Sequence, residues 1–235
     1  MMKQIIVAID GFSSCGKSTM AKELAKEAGY IYVDTGAMYR AVSLFCMRNG
    51  WMDESTMDIS SIISNIESIH LEFKKNSVGK AEIYLNGENV EHAIRSLEVS
   101  NGASRVSTVR EVRRELVRQQ QKLGAQKGIV MDGRDIGTVV FPQAELKIFL
   151  TASPEIRAQR RMDELTAIGE QVLFEDVLAN VKERDERDQN RKESPLKKAD
   201  DAIVIDNSFL SPEEQQAILN KLFKQKLGDI NHNIN

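Results

Sequence analysis

The sequence is poor in cysteine and has no long apolar segment, and each shortage excludes a class of protein. Cys15 and Cys46 are the only cysteines among 235 residues, too few for the disulfide framework of a small secreted protein. No stretch approaches the roughly 18 apolar residues that a membrane-spanning helix needs. The first apolar run, residues 5–9, is too short for a signal peptide. We therefore expect a cytoplasmic protein without a membrane segment.

An excess of positive charge is lacking as well. The net charge is −3, and a composition of 41% hydrophobic and 29% charged residues is ordinary for a globular domain. Such a chain has no overall field that attracts nucleic acid. The basic stretch that begins at Arg105 also contains Glu111 and Glu115. We therefore predict that nucleic acid is not a partner.

Apolar runs alternate with amphipathic patterns along most of the chain. Continuous apolar runs are typical of strands buried on both faces of a parallel sheet. Strands that alternate with helices indicate an α/β fold. The strands are predicted at residues 4–9, 30–33, 129–131, 146–150 and 202–205, and the helices at 17–28, 37–48, 105–127, 154–168, 174–191 and from 212 onward.

One segment interrupts this alternation. Between residues 68 and 92, apolar and charged residues alternate, and Asn86-Gly87 is a strong turn signal. We therefore predict a small antiparallel insertion with one solvated face. Residues 229–235 are polar and are predicted to form a loose tail.

The first predicted strand is followed by a phosphate-binding motif. Residues 11–18, with the sequence GFSSCGKS, match G-x-x-x-x-G-K-[ST] in full. The glycines let the backbone point its N–H groups at phosphate, Lys17 supplies a cation to the β- and γ-phosphates, and Ser18 offers a hydroxyl to Mg²⁺. The predicted ATP-binding residues are Gly11, Phe12, Ser13, Ser14, Cys15, Gly16, Lys17, Ser18 and Thr19.

Arginines and aspartates recur beyond this loop. Residues 34–40 (DTGAMYR) directly follow the second strand, and residues 132–135 (DGRD) follow the third. Arg184, Asp188 and Arg191 are spaced i, i+4 and i+7, so they share one face of a helix. Taken alone, this face could be an ion-paired surface. Transfer between two nucleotides, however, requires several guanidinium groups that fork onto phosphates.

Histidine is scarce where a catalytic base would be expected. His70, His92 and His232 do not follow any predicted core strand. A kinase that phosphorylates a hydroxyl needs a proton acceptor, whereas a phosphate monoester is already largely anionic near neutral pH because its second pKa is about 6. A phosphate acceptor fits this scarcity. A sugar kinase in which Asp34 or Asp135 is the base stays open at this point.

Together the motifs resemble those of the bacterial cytidylate kinases. The resemblance rests on residues 34–40, residues 132–142 (DGRDIGTVVFP) and residues 182–191 (KERDERDQNR), with the phosphate loop and the insertion in the same order. It extends from Ile5 to about Leu227. The resemblance implies a five-stranded parallel sheet in a P-loop nucleoside-monophosphate kinase, with a short helical lid. It also implies ATP- and Mg²⁺-dependent phosphorylation of CMP and dCMP.

The resemblance further implies roles for individual residues. Arg40, Arg134 and Arg191 would hold the acceptor phosphate, and Arg184 and Asp188 would contact the sugar. The implied catalytic residues are Lys17, Arg134, Arg160, Arg184 and Arg191, and the implied metal-binding residues are Ser18 and, directly or through water, Asp132. The implied CMP-binding residues are Thr35, Tyr39, Arg40, Ser104, Arg113, Arg134, Asp135, Arg184, Asp188 and Arg191.

Cytosine chemistry agrees with two of these roles. A carboxylate such as Asp135 can accept from the amino group of cytosine, and Arg113 can donate to its ring acceptors, while the carbonyl of uracil would face Asp135 unfavourably. From the residues alone, Ser104 is as consistent with a helix cap, and Arg113 with a solvated position. The chain departs from the family pattern in having Phe12 in place of proline and Thr35 in place of serine.

The whole is predicted to be one monomeric kinase domain, residues 1–228. Within it we expect a core at about 1–35, 125–155 and 195–228, a monophosphate-binding region with the insertion at about 36–124, and a lid at about 155–192. Adenine is expected at the loop after Ile205. The alternatives are a P-loop kinase for another acceptor, such as UMP, AMP, shikimate or dephospho-coenzyme A, or a GTPase, whose Asn-Lys-x-Asp guanine motif we do not find.

Overall fold

The computed structural model describes residues 3–77 and 81–232. The chain forms two compact units, and each is described by itself. The first unit comprises Met1–Tyr32 and Gln126–Asn235, and the second comprises Val33–Ala125.

The elements alternate as the sequence predicts. In chain order they are β1 (Ile6–Gly11), α1 (Lys17–Ala28), β2 (Ile31–Asp34), α2 (Thr35–Arg48), α3 (Ile59–Asn65), β3 (Leu71–Lys75), β4 (Ala81–Leu85), β5 (Glu88–Asn89), α4 (Leu97–Val106), α5 (Arg110–Leu123), β6 (Ile129–Gly133), β7 (Leu146–Thr151), α6 (Pro154–Ala167), α7 (Phe174–Asn190), β8 (Ile203–Asp206) and α8 (Pro212–His232).

A five-stranded parallel sheet has the order β2-β6-β1-β7-β8, which confirms the predicted fold class. Every residue of its central strand β1 is buried, as a continuous apolar run requires. Parallel pairing sets Asp10 of β1 opposite Gly133 of β6. It also sets Gly11 opposite Leu150 of β7. The carboxyl ends of these strands therefore meet at one edge of the sheet, where α/β proteins bind their ligands.

Helix α1 follows β1 and packs into the core of the first unit. Its buried residues include Met20, Leu24 and Ala25, spaced so that they share one face of the helix. The helix ends at Gly29, whose φ of +68° is the left-handed conformation that glycine adopts readily at a helix end. Truncating the buried Leu24 to alanine would cost about 2–5 kcal/mol, so this packing holds the start of α1 firmly.

The second unit carries the predicted antiparallel insertion. Strands β3, β4 and β5 form a three-stranded sheet, and the β3–β4 pairing is antiparallel, with Leu71 opposite Leu85. Asn86 and Gly87 have φ values of +48° and +87°, the left-handed pair that a tight hairpin turn requires. The hairpin prediction is confirmed, while residues 78–80 of the insertion lie outside the described part of the chain.

The long helix predicted at residues 105–127 is wrong. The chain forms α4 and α5 instead, and they are separated at Ser107–Val109. The Ser107 and Thr108 hydroxyls donate to the carbonyls of Ser104 and Arg105, each at 2.8 Å. Such local side-chain bonds compete with a continuing helix.

Three predicted boundaries also need correction. The first strand continues past residue 9 to Gly11, so Asp10 is a strand residue. Residues 229–232 of the predicted tail belong to α8, which runs to His232, because no proline interrupts its helical pattern; residues 233–235 lie outside the described chain. Helix α7 ends at Asn190 and leaves Arg191 as its C-cap in an extended conformation. Within residues 3–77 and 81–232, each helix is too short or too polar to cross a membrane.

Candidate active site

The phosphate loop leaves β1 in a conformation that glycine makes possible. Gly11 has a φ of +148°, and a Cβ atom there would lie 1.9 Å from the carbonyl oxygen of Leu150, so no side chain can be accommodated. Gly16 has a φ of +93° and is the N-cap of α1. Because glycine supplies no capping side chain, the first N–H groups of α1 suit an anion such as phosphate.

Lys17 lies buried within this loop. Its ammonium group donates to the Phe12 carbonyl, and the distance from Nζ to Sγ of Cys15 is 3.6 Å. Burial lowers the pKa of Lys17 below its usual range, and the charge of Arg134 acts in the same direction. The ammonium group of Lys17 therefore lies against the backbone of the phosphate loop.

The Ser18 hydroxyl and the Asp132 carboxylate bring two kinds of oxygen ligand together at the start of α1. The Ser18 hydroxyl donates to Oδ2 of Asp132 at 2.9 Å, and the Tyr32 hydroxyl donates to Oδ1 of Asp132 at 2.8 Å. Hydroxyl and carboxylate oxygens are the ligand types that Mg²⁺ prefers. The described ranges contain no group of three or more His, Cys, Asp or Glu side chains that could hold a metal.

Three of the predicted arginines gather at Asp188, a group that we call the Asp188 cluster: Arg134, Arg184, Asp188 and Arg191. Nε of Arg134 donates to Oδ2 of Asp188 at 2.8 Å, and Nη1 of Arg191 lies 3.4 Å from Oδ1. Burial alone would raise the pKa of Asp188, but the positive charges of Arg134, Arg191 and Arg184 lower it below its usual range. The cluster therefore holds an ionised carboxylate among three cations.

The same cluster is electrostatically coupled to the phosphate loop. Burial opposes the charge of Arg134, but the Asp188 carboxylate raises the pKa of Arg134, and Cys15 and Asp132 act in the same direction. Arg134 in turn influences Lys17. Gly133, the last residue of β6, pairs with Asp10 of β1, so Arg134 follows directly beside the start of the phosphate loop.

Helices α6 and α7, which lie within the predicted lid, are joined by a second ion pair. Arg157 is 2% exposed, and its guanidinium contacts both carboxylate oxygens of Asp185, at 2.9 and 2.5 Å. It also lies 4.9 Å from the centre of the Phe12 ring. The Phe12 ring of the phosphate loop therefore faces a buried cation from α6.

The predicted lid arginine Arg160 contacts the loop after β8. Its Nη2 donates to the carbonyl of Asn207 at 2.8 Å. Asn207 is fully buried, and its Nδ2 donates to the carbonyl of Cys15 at 2.6 Å. Asn207 therefore connects the phosphate loop, the loop after β8 and the lid helix α6.

In the second unit, the 34–40 motif forms a capped helix start. Oδ1 of Asp34 accepts the N–H of Ala37 at 2.9 Å, which caps α2. Oδ2 of Asp34 accepts from Nη2 of Arg40 at 2.9 Å. Thr35 is buried in the first turn of α2. The aspartate thus fixes both the helix start and the arginine one turn later.

The two predicted base-reading residues of the second unit, Ser104 and Arg113, are both buried. Arg113 is 1% exposed, and its guanidinium lies 5.4 Å from the centre of the Tyr39 ring. The alternative in which Arg113 is solvated is therefore wrong. Ser104 is buried within α4, whose cap is Ser96, so the alternative in which Ser104 is a helix cap is also wrong.

Sequence reasoning assigned no role to several residues that shape this region: Asp10, Asp185, Asn207 and the Tyr32 hydroxyl. A charged residue at the end of an otherwise apolar strand is a signal that could have identified Asp10, because a carboxylate buried there must be paired. Asp185 and Asn207 carry no local signal, since their partners Arg157 and Cys15 are distant in sequence.

Comparison with known proteins places these features in a family. A family model described as cytidylate kinase matches residues 7–225. The cytidylate kinase of Flavobacterium johnsoniae is 61% identical over 222 residues, which are 94% of this chain and 96% of the relative. The cytidylate kinase of Bacteroides fragilis is 59% identical over 92% of this chain and 94% of its own length. That of Porphyromonas gingivalis is 54% identical over 97% of this chain and 100% of its own length.

Among solved structures, the shikimate kinase of Bacteroides thetaiotaomicron aligns over 95% of this chain and 98% of its own, with a TM-score of 0.48 and 8% identity. The family model matches residues 7–225, and the relatives named above are 54% to 61% identical over at least 92% of this chain. The chain belongs to the cytidylate kinase family.

Proposed function

We propose that the protein transfers the γ-phosphoryl group of ATP directly to the phosphate of CMP and dCMP, which yields CDP and dCDP. The observation that carries this proposal is the Asp188 cluster beside the phosphate loop. Three guanidinium groups gathered next to a nucleotide-binding turn are more than a donor nucleotide alone requires. They suit an enzyme that must hold a second phosphate group for in-line transfer.

ATP would bind with its phosphates on the curled backbone of residues 11–19 and the first N–H groups of α1. Lys17 would reach the β- and γ-phosphates from its place against the loop. Ser18 and Asp132 would hold Mg²⁺, Asp132 directly or through water. When bound, the ion would supply positive charge that offsets the negative charge of the phosphates. The 2.9 Å contact between the two side chains already brings compatible oxygen donors together.

The acceptor phosphate would bind Arg134 and Arg191, with Arg40 of the second unit as a further ligand. Asp188 keeps the first two guanidinium groups in place, so they need little reorganisation to receive a phosphate. Arg184 and Asp188 would contact the sugar. No general base is required, because the attacking phosphate oxygen is largely anionic near neutral pH.

The base would be read by Asp135, Arg113 and Ser104, with Thr35 and Tyr39 nearby. Support comes from burial: Arg113 and Asp135 are 1% and 4% exposed. Buried polar groups discriminate strongly, because the wrong base leaves them without a partner. We propose that Asp135 accepts from the cytosine amino group, and that Arg160 and the lid approach the transferred phosphoryl group.

The direct test is a coupled assay with MgATP and each of CMP, dCMP, UMP, AMP and GMP. We expect efficient turnover of CMP and dCMP and at least about a hundredfold lower kcat/KM for UMP. Equal or greater activity on UMP, AMP or a non-nucleotide such as shikimate would replace this function by the alternative acceptor. The cytoplasmic location and the monomeric state stay predictions.

A further inference from the structure

Asp10 is a buried carboxylate that the proposed transfer does not use. It lies next to the last residue of β1 and is 4% exposed. Its Oδ1 accepts the N–H of Ile136 and its Oδ2 accepts the N–H of Gly137, both at 2.7 Å. Burial of a carboxylate is costly unless hydrogen bonds compensate for lost hydration. Both oxygens of Asp10 are therefore committed to one backbone segment, 126 residues away in the sequence.

That segment is a single π-helical turn, residues Ile136–Val140. The carbonyl of Asp135 accepts the N–H of Val140 at 3.1 Å, and the carbonyl of Ile136 accepts the N–H of Phe141 at 2.7 Å. The first N–H groups of a helical turn have no partner within it. Asp10 supplies that partner from another strand, and so acts as the cap of a turn whose own N-cap residue makes no side-chain cap bond.

The capped turn begins at the residue that is proposed to read cytosine. Asp135 is the N-cap of the turn, with φ −145° and ψ 24°. On its N-terminal side, Arg134 is held by Asp188. On its C-terminal side, the backbone is held by Asp10. We propose that Asp10 is a positioning residue for base selection, which fixes the π-helical turn so that the Asp135 carboxylate meets the amino group of cytosine. The inference rests on the proposed function.

The position of Asp10 next to the phosphate loop offers a competing role, support of Lys17. Burial raises the pKa of Asp10 to about 7, Asp135 adds to this effect, and the two N–H groups and Lys17 oppose it. If Asp10 served Lys17, its loss would mainly weaken the binding of ATP. If it serves Asp135, its loss would mainly weaken the binding of CMP and reduce the preference for CMP over UMP. A small displacement of a recognition group can lower the rate by up to about a hundredfold.

The test uses Asp10→Asn, which keeps the shape but puts an amide NH₂ against one of the two backbone N–H groups. Glu145→Gln is the matched control, because Glu145 also accepts a backbone N–H, that of Ile6 at 2.9 Å, at the opposite end of β1. For Asp10→Asn we expect kcat/KM for CMP to fall about 10- to 100-fold. The ratio of kcat/KM for CMP to that for UMP, the CMP-to-UMP ratio, should decrease by about tenfold or more. The KM for ATP should change less than about threefold. Glu145→Gln should leave the kcat/KM for CMP, the CMP-to-UMP ratio and the KM for ATP unchanged.

A double-mutant cycle with Asp135→Asn separates this inference from the proposed function. If Asp10 acts through Asp135, the double variant will have the CMP-to-UMP ratio of Asp135→Asn alone. A wild-type ratio in Asp135→Asn would instead contradict the proposed reading of cytosine. A narrowed ratio in Asp135→Asn with an unchanged ratio in Asp10→Asn, or additive effects in the double variant, would overturn the role of Asp10. If Asp10→Asn lost as much affinity for ATP as for CMP, that result would also overturn the role of Asp10.

Should Asp10→Asn fail to fold, Gly137→Ala decides the question. A Cβ atom at Gly137 would lie 3.3 Å from Oδ2 of Asp10 and 3.1 Å from Cδ of Lys147, so it presses on the same contact from the other side. We expect a smaller narrowing of the CMP-to-UMP ratio, about threefold or more, with KM for ATP unchanged. An unchanged ratio in a folded Gly137→Ala variant, shown by a wild-type circular dichroism spectrum, would reject the inference.

Discussion

The phosphate loop and the Asp188 cluster bind the same kind of ligand by opposite constructions. The loop uses backbone groups of contiguous residues and owes its shape to the positive φ values of Gly11, Ser14 and Gly16. The cluster uses side chains from Arg134 and from helix α7, brought together by one buried carboxylate. The first is therefore encoded locally, and the second exists only once the sheet and the lid helices have folded.

This difference has consequences for how each site tolerates change. A backbone site should be indifferent to most side chains inside it but sensitive to any change in its φ angles. A side-chain site should lose most of its function when a single guanidinium is removed. Variants of the two sites test that contrast.

Removal of one arginine from the Asp188 cluster should have the largest effect. For Arg134→Ala and for Arg191→Ala we expect kcat/KM for CMP to fall about a thousandfold, because arginines that stabilise phosphoryl transfer contribute on this scale. Steady-state kinetics and circular dichroism would measure activity and folding. Arg187→Ala on the same helix, where Arg187 pairs with the exposed Glu183, is the matched control. A folded Arg134→Ala or Arg191→Ala variant with near-normal turnover would remove the cluster from the mechanism.

Removal of the carboxylate should next destabilise the protein in a pH-dependent way. Asp188→Asn leaves buried guanidinium groups without their counter-charge, which should cost about 3 kcal/mol near pH 7. The pKa of Asp188 is lowered in the folded protein, so its contribution is present above the ordinary carboxyl pKa and is lost as the pH falls through the folded value. Urea unfolding should therefore show a penalty that shrinks toward acidic pH. A penalty that is independent of pH would show that the carboxylate charge is not responsible.

Alteration of a loop glycine should have a smaller, conformational effect. In Gly16→Ala the residue must keep a φ of +93°, and its Cβ would lie 2.8 Å from Nδ2 of Asn207. We expect a loss of about 2 kcal/mol of stability together with a higher KM for ATP. Thermal unfolding and ATP titration would measure both quantities. Gly29→Ala is the control for ATP affinity, because Gly29 also has a positive φ of +68° but lies outside the phosphate loop, and its Cβ would meet nothing within 4 Å. It should lose stability without a change in the KM for ATP. Equal ATP affinity in wild type and Gly16→Ala would contradict the conformational argument.

Relief of strain within the loop should have the smallest effect, and of opposite sign. Ser14 adopts a φ of +54°, which costs a non-glycine residue about 1 kcal/mol. Ser14→Gly should therefore leave kcat within about twofold and raise stability by up to about 1 kcal/mol. A fall in the melting temperature would indicate that the serine side chain contributes more than its backbone conformation costs.

The same contrast explains what the sequence could and could not predict. The phosphate loop was predictable because its motif, the strand before it and the helix after it are contiguous. The i, i+4 and i+7 spacing of Arg184, Asp188 and Arg191 predicted their shared face, but their convergence with Arg134 depends on tertiary structure. The break between α4 and α5 was missed because polar residues continue through it, and local hydroxyl bonds decide the matter.

Other features of the site could not be predicted at all. The bonds from Asp10 to Ile136 and Gly137 join strand β1 to a turn after β6, and the pair of Arg157 with Asp185 joins two helices of the lid. Each depends on partners more than 25 residues away in the sequence. Burial also separated Arg113 from the solvated arginines of its helix, which spacing alone could not do.

The most direct measurement is a crystal structure with a bisubstrate analogue, in which adenosine and cytidine are joined by a chain of five phosphates. We expect the adenosine end of the chain to lie on residues 11–19 and the cytidine-side phosphate to contact Arg134 and Arg191, with no side chain placed as a proton acceptor. A cytidine-side phosphate bound away from both arginines, while the phosphate loop is occupied, would contradict the central claim.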